Sequence, residues 1–216
     1  MGAGILPVSL YRGCIYLLLG QERKGDLWSD FGGSSEFINN KKERPFATAI
    51  REGGEELNGI LGINKQLELL VKKNELTIIK DDNDDYVTFL FKLEYSDNLI
   101  KEFDRTNMFA NAYLNDKIWE PYNGLFEKQK IEWVKLDDLK RDLKRDLKKD
   151  LKKKNYREWY TPYLEAVINN EGWLFKQLNT IKPYKQHTKK NKYNFNNNFA
   201  EDSFYKPPNR RLEELI

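Results

Sequence analysis

An α/β domain is what this sequence predicts, and three observations carry that prediction. Apolar runs of strand length stand at 3–10 (AGILPVSL), 14–22 (CIYLLLGQE) and 86–95 (YVTFLFKLEY). Between the second and third, residues 45–57 place apolar side chains at helical spacing. Further helical patterns follow at 138–154 and 162–179. Strand and helix signals interleaved in 216 residues point to one α/β domain with material to spare. We therefore expect a domain over 1–182, containing the basic helix 138–154 and the helix 162–179. An Asn/Lys-rich tail over 183–216 is expected to be either poorly ordered or strapped onto that domain.

Each element has its own warrant. Pro7 cannot donate to a ladder, which places the first strand near an edge or a bulge. Tyr11-Arg12-Gly13 turns the chain into a second run so continuously apolar that it suits a strand covered on both faces. Cys14 opens that run and is expected to be a buried, inert thiol. Lys24-Gly25-Asp26 is a turn, and LWSDFGG leads into the stretch 32–59. There, Pro45 suits a first helical turn, where its missing N–H is not needed. Phe46, Ile50 and Leu57 form an apolar stripe along the helix. Gly53 and Gly54 each cost about 1 kcal/mol against alanine, which suggests that the helix backbone approaches neighbouring chain closely. Residues 61–80 support helix and strand alike. DDNDD at 81–85 reads as a solvated turn, since it lacks the glycine and closing glutamate of a calcium loop. The β-branched and aromatic residues of 86–95 form the clearest strand of the second half. Residues 96–130 are too irregular to read as one element. IEWVKLDDL (131–139) is a strand with a helix starting near Asp137 and Asp138. Thr161-Pro162 is an N-cap and first-turn pair for the helix 162–179.

Residues 32–59, GGSSEFINNKKERPFATAIREGGEELNG, hold the chemistry. Glu52, Glu55 and Glu56 fall at i, i+3 and i+4, so one helix face carries three carboxylates. Like charges at that spacing repel, and folding does not require them. They suit either a solvated acidic face or a set of oxygen ligands for a hard divalent cation. The stretch resembles the Nudix box, GX5EX7REUXEEXGU, where U is a bulky aliphatic residue. Glu43 matches the first glutamate, Arg51-Glu52 the RE pair, and Glu55-Glu56 the EE pair. Gly32, Gly33 and Glu36 resemble the GG-x-x-E that opens the loop. Strict spacing puts the box glycine at Phe37, four positions after Gly33, so this loop is the longer one. Gly53 stands where a bulky residue is expected, and Asn58 where the closing glycine belongs. Asn tolerates the left-handed conformation of a helix C-cap. WSDFGGSSE is similar to homologues in large DNA viruses and eukaryotic microbes.

The resemblance implies an α/β/α sandwich around a mixed sheet, here with a basic C-terminal helical extension. It also implies a hydrolase that cleaves the diphosphate bond of a nucleoside diphosphate linked to another group. Glu52, Glu55 and Glu56 would be ligands to Mg²⁺ or Mn²⁺, with Arg51 positioning them. A further catalytic glutamate in such enzymes comes from a later loop, for which Glu127 and Glu132 are candidates. Gly32, Gly33 and Glu36 would meet the substrate. Trp28, Phe31, Tyr113, Trp119 and Tyr122 are candidates for a base-stacking wall.

Composition adds limits. One cysteine excludes an internal disulfide and fits a reducing, cytoplasmic setting. The chain has no apolar stretch of membrane length, and MGAGIL lacks the hydroxyl residue of a myristoylation signal. His187, the sole histidine, lies in the tail, so covalent catalysis through histidine or cysteine is a poor competitor. Net charge is only +3, but DLKRDLKRDLKKDLKKK sets nine cations against four anions. Its leucines at every fourth position suit a surface helix laid on the domain, or an electrostatic guide for RNA. Tail aromatics among lysines (Tyr184, Tyr193, Phe195, Phe199) would suit stacking on single-stranded bases. These features favour a capped RNA 5′ end as substrate. Dinucleoside polyphosphates and diphosphoinositol polyphosphates are the rivals, and a Nudix-fold RNA-binding protein is the alternative of another class. A homodimer is compatible with the family.

Overall fold

Gly2–Tyr11 forms β1, the strand on which the sheet is built. The computed structural model describes residues 1–80, 85–114, 124–144 and 154–180. One side of β1 pairs in parallel with β8 (Tyr86–Lys92), and β8 pairs antiparallel with β7 (Glu75–Lys80). The other side of β1 forks. Its first half pairs with β4 (Phe31–Ser34) and its second half with β2 (Cys14–Glu22), both antiparallel. β2 then pairs with β9 (Lys128–Lys135) and with the short β3 (Trp28–Ser29). Phe37–Ile38 (β5) and Lys41–Lys42 (β6) make a separate ribbon.

Helices cover both faces, and strand alternation decides which residues face which layer. On one face Leu6, Val8, Leu17, Leu19 and Leu90 pack against α4 (Leu136–Lys144), α5 (Thr161–Asn169) and α6 (Glu171–Thr180), through Leu139, Leu164, Val167 and Leu174. On the other, Ala3, Ile5, Leu18, Phe89 and Trp133 pack against α1 (Pro45–Glu56), α2 (Lys65–Asn74) and α3 (Asp97–Tyr113). The expected α/β/α sandwich with a mixed sheet is therefore present. No helix among the described residues is long and apolar enough to cross a membrane.

Several expectations need correction. Pro7 lies in a central strand, not at an edge. Gly2 N–H and the Val8 carbonyl both bond towards β8, so the backbone of the odd-numbered residues faces the forked side. Pro7 falls in the fork between the β4 and β2 pairings, where a missing N–H breaks no ladder bond. Cys14 is half-exposed rather than buried. Residues 61–80 divide into helix α2 and strand β7. The stretch thought irregular contains α3, which spans 17 residues. The C-terminal helix is two helices that break at Asn170, and Thr161 is already helical, preceded by a 3₁₀ turn over Glu158–Tyr160. The basic helix begins at Leu136, and its first leucines, Leu136 and Leu139, join the core. Residues 145–153, Trp119, Tyr122 and the tail over 183–216 lie outside the described residues, as do residues 81–84 of the acidic turn.

Candidate functional site

Helix α1 delivers its charged face to the free edge of β4. Because β4 pairs only with β1, the backbone groups of Gly32 and Ser34 point outward. Side chains of α1 satisfy both. Gly32 N–H donates to Glu56 Oε2 at 2.8 Å, and Arg51 Nη2 donates to the Ser34 carbonyl at 3.0 Å. Gly33 faces the helix, where a Cβ would stand 2.6 Å from the Glu52 carboxyl carbon, so the glycine is what lets that carboxylate lie against the strand.

Arg51 gathers four carboxylates. Its guanidinium lies 2.9 Å from Glu52, 3.1 Å from Glu43, 3.2 Å from Glu55 and 3.7 Å from Glu36. Glu43 is the best satisfied. Burial works against its charge, but hydrogen bonds from Arg51 and Thr48 hold its carboxyl below the usual range. Glu52 and Glu55 go the other way. Burial raises both, Arg51 only partly opposes it, and Glu127 adds repulsion to each. One guanidinium thus faces four carboxylates, with Glu127 repelling two of them, which leaves a surplus of negative charge at Glu52, Glu55 and Glu127. All three offer hard oxygen donors, the kind that Mg²⁺ and Mn²⁺ prefer. Among the described residues no three acidic side chains form a ready-made cation cage. Mg²⁺ does not require one, since it binds through one or two carboxylates together with waters and substrate phosphates. The donor set therefore fits such an ion.

Glu56 differs from its neighbours. It is 3% exposed and pairs with the fully buried Lys128 at 3.3 Å. Lys128 also holds Glu22 at 2.5 Å and is shut off from solvent, so a buried ionic cluster lies behind the acidic face. Burial pushes the Glu56 carboxyl up to about 8 despite Lys128 beside it. Lys128, like Arg157, which reaches Glu22 at 3.1 Å, had no local signal in the sequence.

The loop before β9 brings in Glu127. Arg23 N–H donates to the Glu127 carbonyl at 2.9 Å, and Arg23 Nε to the Phe126 carbonyl at 3.0 Å. Gly124 turns this loop against Glu55 at φ +63°, where a Cβ would stand 2.9 Å from the Glu55 carboxyl carbon. Glu132, the other candidate, is engaged by Lys154 at 2.7 Å and Lys130 at 3.1 Å.

On the opposite face of β4 lies a cavity of about 840 Å³. Gly32, Gly33 and Ser34 line one side, with Tyr86, Trp159 and Tyr163 opposite and Lys80 and Arg157 adding positive charge. Trp159 is 46% exposed and meets Tyr86 edge to face at 4.9 Å, while the Arg157 guanidinium stands 5.6 Å over its ring. Sequence reasoning missed Trp159. The aromatic cluster Tyr156, Trp159, Tyr160 and Tyr163 was the available signal. Of the aromatics singled out instead, Phe31 is wholly buried, and Trp28 is buried beneath Lys130 and Lys154 without lining this cavity. Tyr113 is exposed at the end of α3.

No family model matches the sequence, and no curated protein matches it. Similar solved structures include a Nudix hydrolase from M. smegmatis, RenU (11% identity, 80% of this chain and 86% of that chain covered, TM-score 0.42). An Ap4A hydrolase binary complex from C. elegans is 17% identical, with 82% and 93% covered and a TM-score of 0.38. The NUDIX domain of Shewanella oneidensis NrtR complexed with ADP ribose is 11% identical, with 79% and 86% covered and a TM-score of 0.38. The structural neighbours are Nudix proteins.

Two of the departures from the Nudix box, Gly53 and Asn58, have local reasons. At Gly53, a Cβ would stand 2.6 Å from Ile5 Cγ1, so β1 already fills the space that a bulky box residue would take. Gly54 meets nothing closer than Leu67 Cδ2 at 3.7 Å, so only one of the two glycines answers to close approach. Asn58 adopts φ +51° at the helix end, and its side chain accepts from Phe126 N–H at 3.0 Å and donates to Asn107 at 3.1 Å.

Proposed function

We propose that this chain is a metal-dependent Nudix hydrolase that cleaves the diphosphate bond of a nucleotide derivative. The observation that carries this reading is the surplus of carboxylate around Arg51 on the far side of a glycine strand from an aromatic cavity. Glu52 and Glu55 would hold Mg²⁺ or Mn²⁺, joined by Glu127 in place of Glu56, the third ligand expected from the sequence, whose carboxylate is taken by Gly32 N–H and Lys128. When bound, such an ion neutralises phosphate oxygens and lowers the pKa of a bound water. Arg51 keeps Glu52 and Glu55 on the helix face, and the Gly32-Gly33 backbone lets a diphosphate lie close to β4. Glu127, exposed and within electrostatic reach of both carboxylates, would take a proton from the attacking water. Glu56 acts from behind by fixing Gly32 N–H. Trp159 and Tyr86 supply an aromatic surface for a nucleobase, in a cavity of the size that binds small ligands.

For substrate, a capped RNA 5′ end is the first choice, supported by the excess of cations in 138–154. Dinucleoside polyphosphates and diphosphoinositol polyphosphates are the rivals. The decisive experiment separates and counts the phosphorylated products released from these three and from nucleoside triphosphates, with Mg²⁺ and with Mn²⁺. Glu55→Gln should lower kcat on the order of a hundredfold without lowering Tm, because it removes one of several repelling charges. If wild type and Glu55→Gln are equally inert yet bind RNA, the chain is a binding module instead.

A further inference from the structure

The residues between Gly33 and Glu43 form a built element beside the acidic cluster. Glu43 N–H donates to the Glu36 carbonyl at 2.8 Å, and Phe37 pairs with Lys42 and Ile38 with Lys41. Asn39 and Asn40 both take positive φ, +51° and +61°, as a two-residue type I′ hairpin turn requires. A ribbon this short is marginal alone. Here Arg51 bolts its base down, meeting Glu36 at 3.7 Å and Glu43 at 3.1 Å with the same guanidinium that holds Glu52 and Glu55. The ends of the hairpin are thus fixed to the catalytic helix while its tip projects. That tip buries nothing: Phe37 is 73% and Ile38 54% exposed. Cross-strand partners share a face, so Phe37 stands with Lys42 and Ile38 with Lys41. Each face therefore joins an apolar surface to an ammonium group. Ser34 lines the cavity, and Phe37 follows three residues later, within about 10 Å along an extended chain.

We propose that this hairpin is a recognition flap for the group on the far side of the diphosphate. Phe37 stacks on a second nucleobase, and Lys42 meets its phosphate. This inference rests on the hydrolase reading above and extends it: the cavity takes one nucleoside and the flap takes the other. The substrate class is accordingly a nucleotide linked through phosphates to a second nucleotide. A dinucleoside polyphosphate and a capped RNA 5′ end share that chemistry.

The test compares kcat/KM of wild type, Phe37→Ala, Phe37→Trp and Lys42→Ala on a dinucleoside tetraphosphate, a capped RNA and a nucleoside triphosphate. Phe37→Ala and Lys42→Ala should each lose about tenfold on a two-ended substrate. Turnover of the triphosphate should stay within about twofold, and Phe37→Trp should retain wild-type values. A loss confined to one two-ended substrate identifies which source the flap serves. Equal losses on all three substrates, or none, would overturn the proposal. Calorimetric binding of the dinucleoside tetraphosphate to wild type and Phe37→Ala reads the flap without turnover. If wild type proves inert on every substrate, the hydrolase reading fails. The flap then stands on a tenfold weaker binding by Phe37→Ala, and falls on equal affinity or on no binding by wild type.

Discussion

At the end of α1, Asn58 does what a glycine in the same place would not. Either residue accepts φ +51°, so the backbone does not choose between them. The amide does, because it accepts from Phe126 N–H and donates to Asn107, whose own amide donates to the Lys128 and Gln129 carbonyls. One side chain thereby ties the helix of Glu55 to the loop of Glu127 and to α3. Replacing it with the Nudix glycine keeps the turn and removes the tie. Asn58→Gly should cost about 1–2 kcal/mol of stability through two lost hydrogen bonds. It should also lower kcat more than it changes KM, since what loosens is the position of Glu127. Urea denaturation and steady-state kinetics on the same preparation check both. Unchanged kcat would mean that Arg23 alone fixes the loop.

Elements show the same division between what is local and what is not. Helix α1 was legible because its first-turn proline, apolar stripe and glutamate row are all spelled within about a dozen residues. β1, β2 and β8 were legible as apolar runs. α3 was hidden because its inward residues, Leu99, Phe103, Asn107 and Ala110, include a polar one. Met108, Phe109 and Tyr113 meanwhile put apolar side chains on the solvent face and blur the periodicity. The hairpin β5–β6 carried a turn signal in Asn39-Asn40, but its strands are two residues each, too short for alternation to register. The pairing of Glu56 with Lys128 has no sequence signature, because the sheet alone brings them together. The two glycines of α1 convert this contrast into a measurement. Gly54→Ala should stabilise by about 0.5–1 kcal/mol, since its Cβ meets only ordinary contact and gains helix propensity. Gly53→Ala should instead destabilise by about 1–3 kcal/mol, because its Cβ enters the space of the buried Ile5. Thermal and urea melts of the two variants give the signs. Two stabilising alanines would mean that Ile5 yields freely.

Over the whole molecule, the acidity of one buried group links stability to pH. Asp30 joins three strands. It follows β3, accepts from Tyr86 and Thr88 of β8 at 3.0 and 3.1 Å, and lies where a Cβ on Gly4 of β1 would stand 2.5 Å from its oxygen. Tyr163 of α5 extends the link by donating to the Tyr86 carbonyl at 2.9 Å. Burial raises the Asp30 carboxyl from 3.8 to about 6, against the opposing pull of Lys128 and of the hydroxyls of Tyr86, Thr88 and Tyr160. Below about pH 4 the folded and unfolded chains both hold this proton, and well above 6 neither does. Between those limits the folded chain keeps a proton that the unfolded chain has released. Stability from this group is therefore full at the acid side and declines as pH rises through 6, by about 3 kcal/mol in all. Asp30→Asn removes the titration while keeping an oxygen for one hydroxyl. The stability of wild type minus that of Asp30→Asn, from urea midpoints between pH 4 and 7, should fall by about 3 kcal/mol across the window. The subtraction cancels the other carboxylates, some of which are raised in the fold (Glu52, Glu55) and some lowered (Glu43, Glu132). A flat difference would show that Asp30 ionises in the fold as readily as in the open chain, and that the strand junction holds a charge instead of a proton.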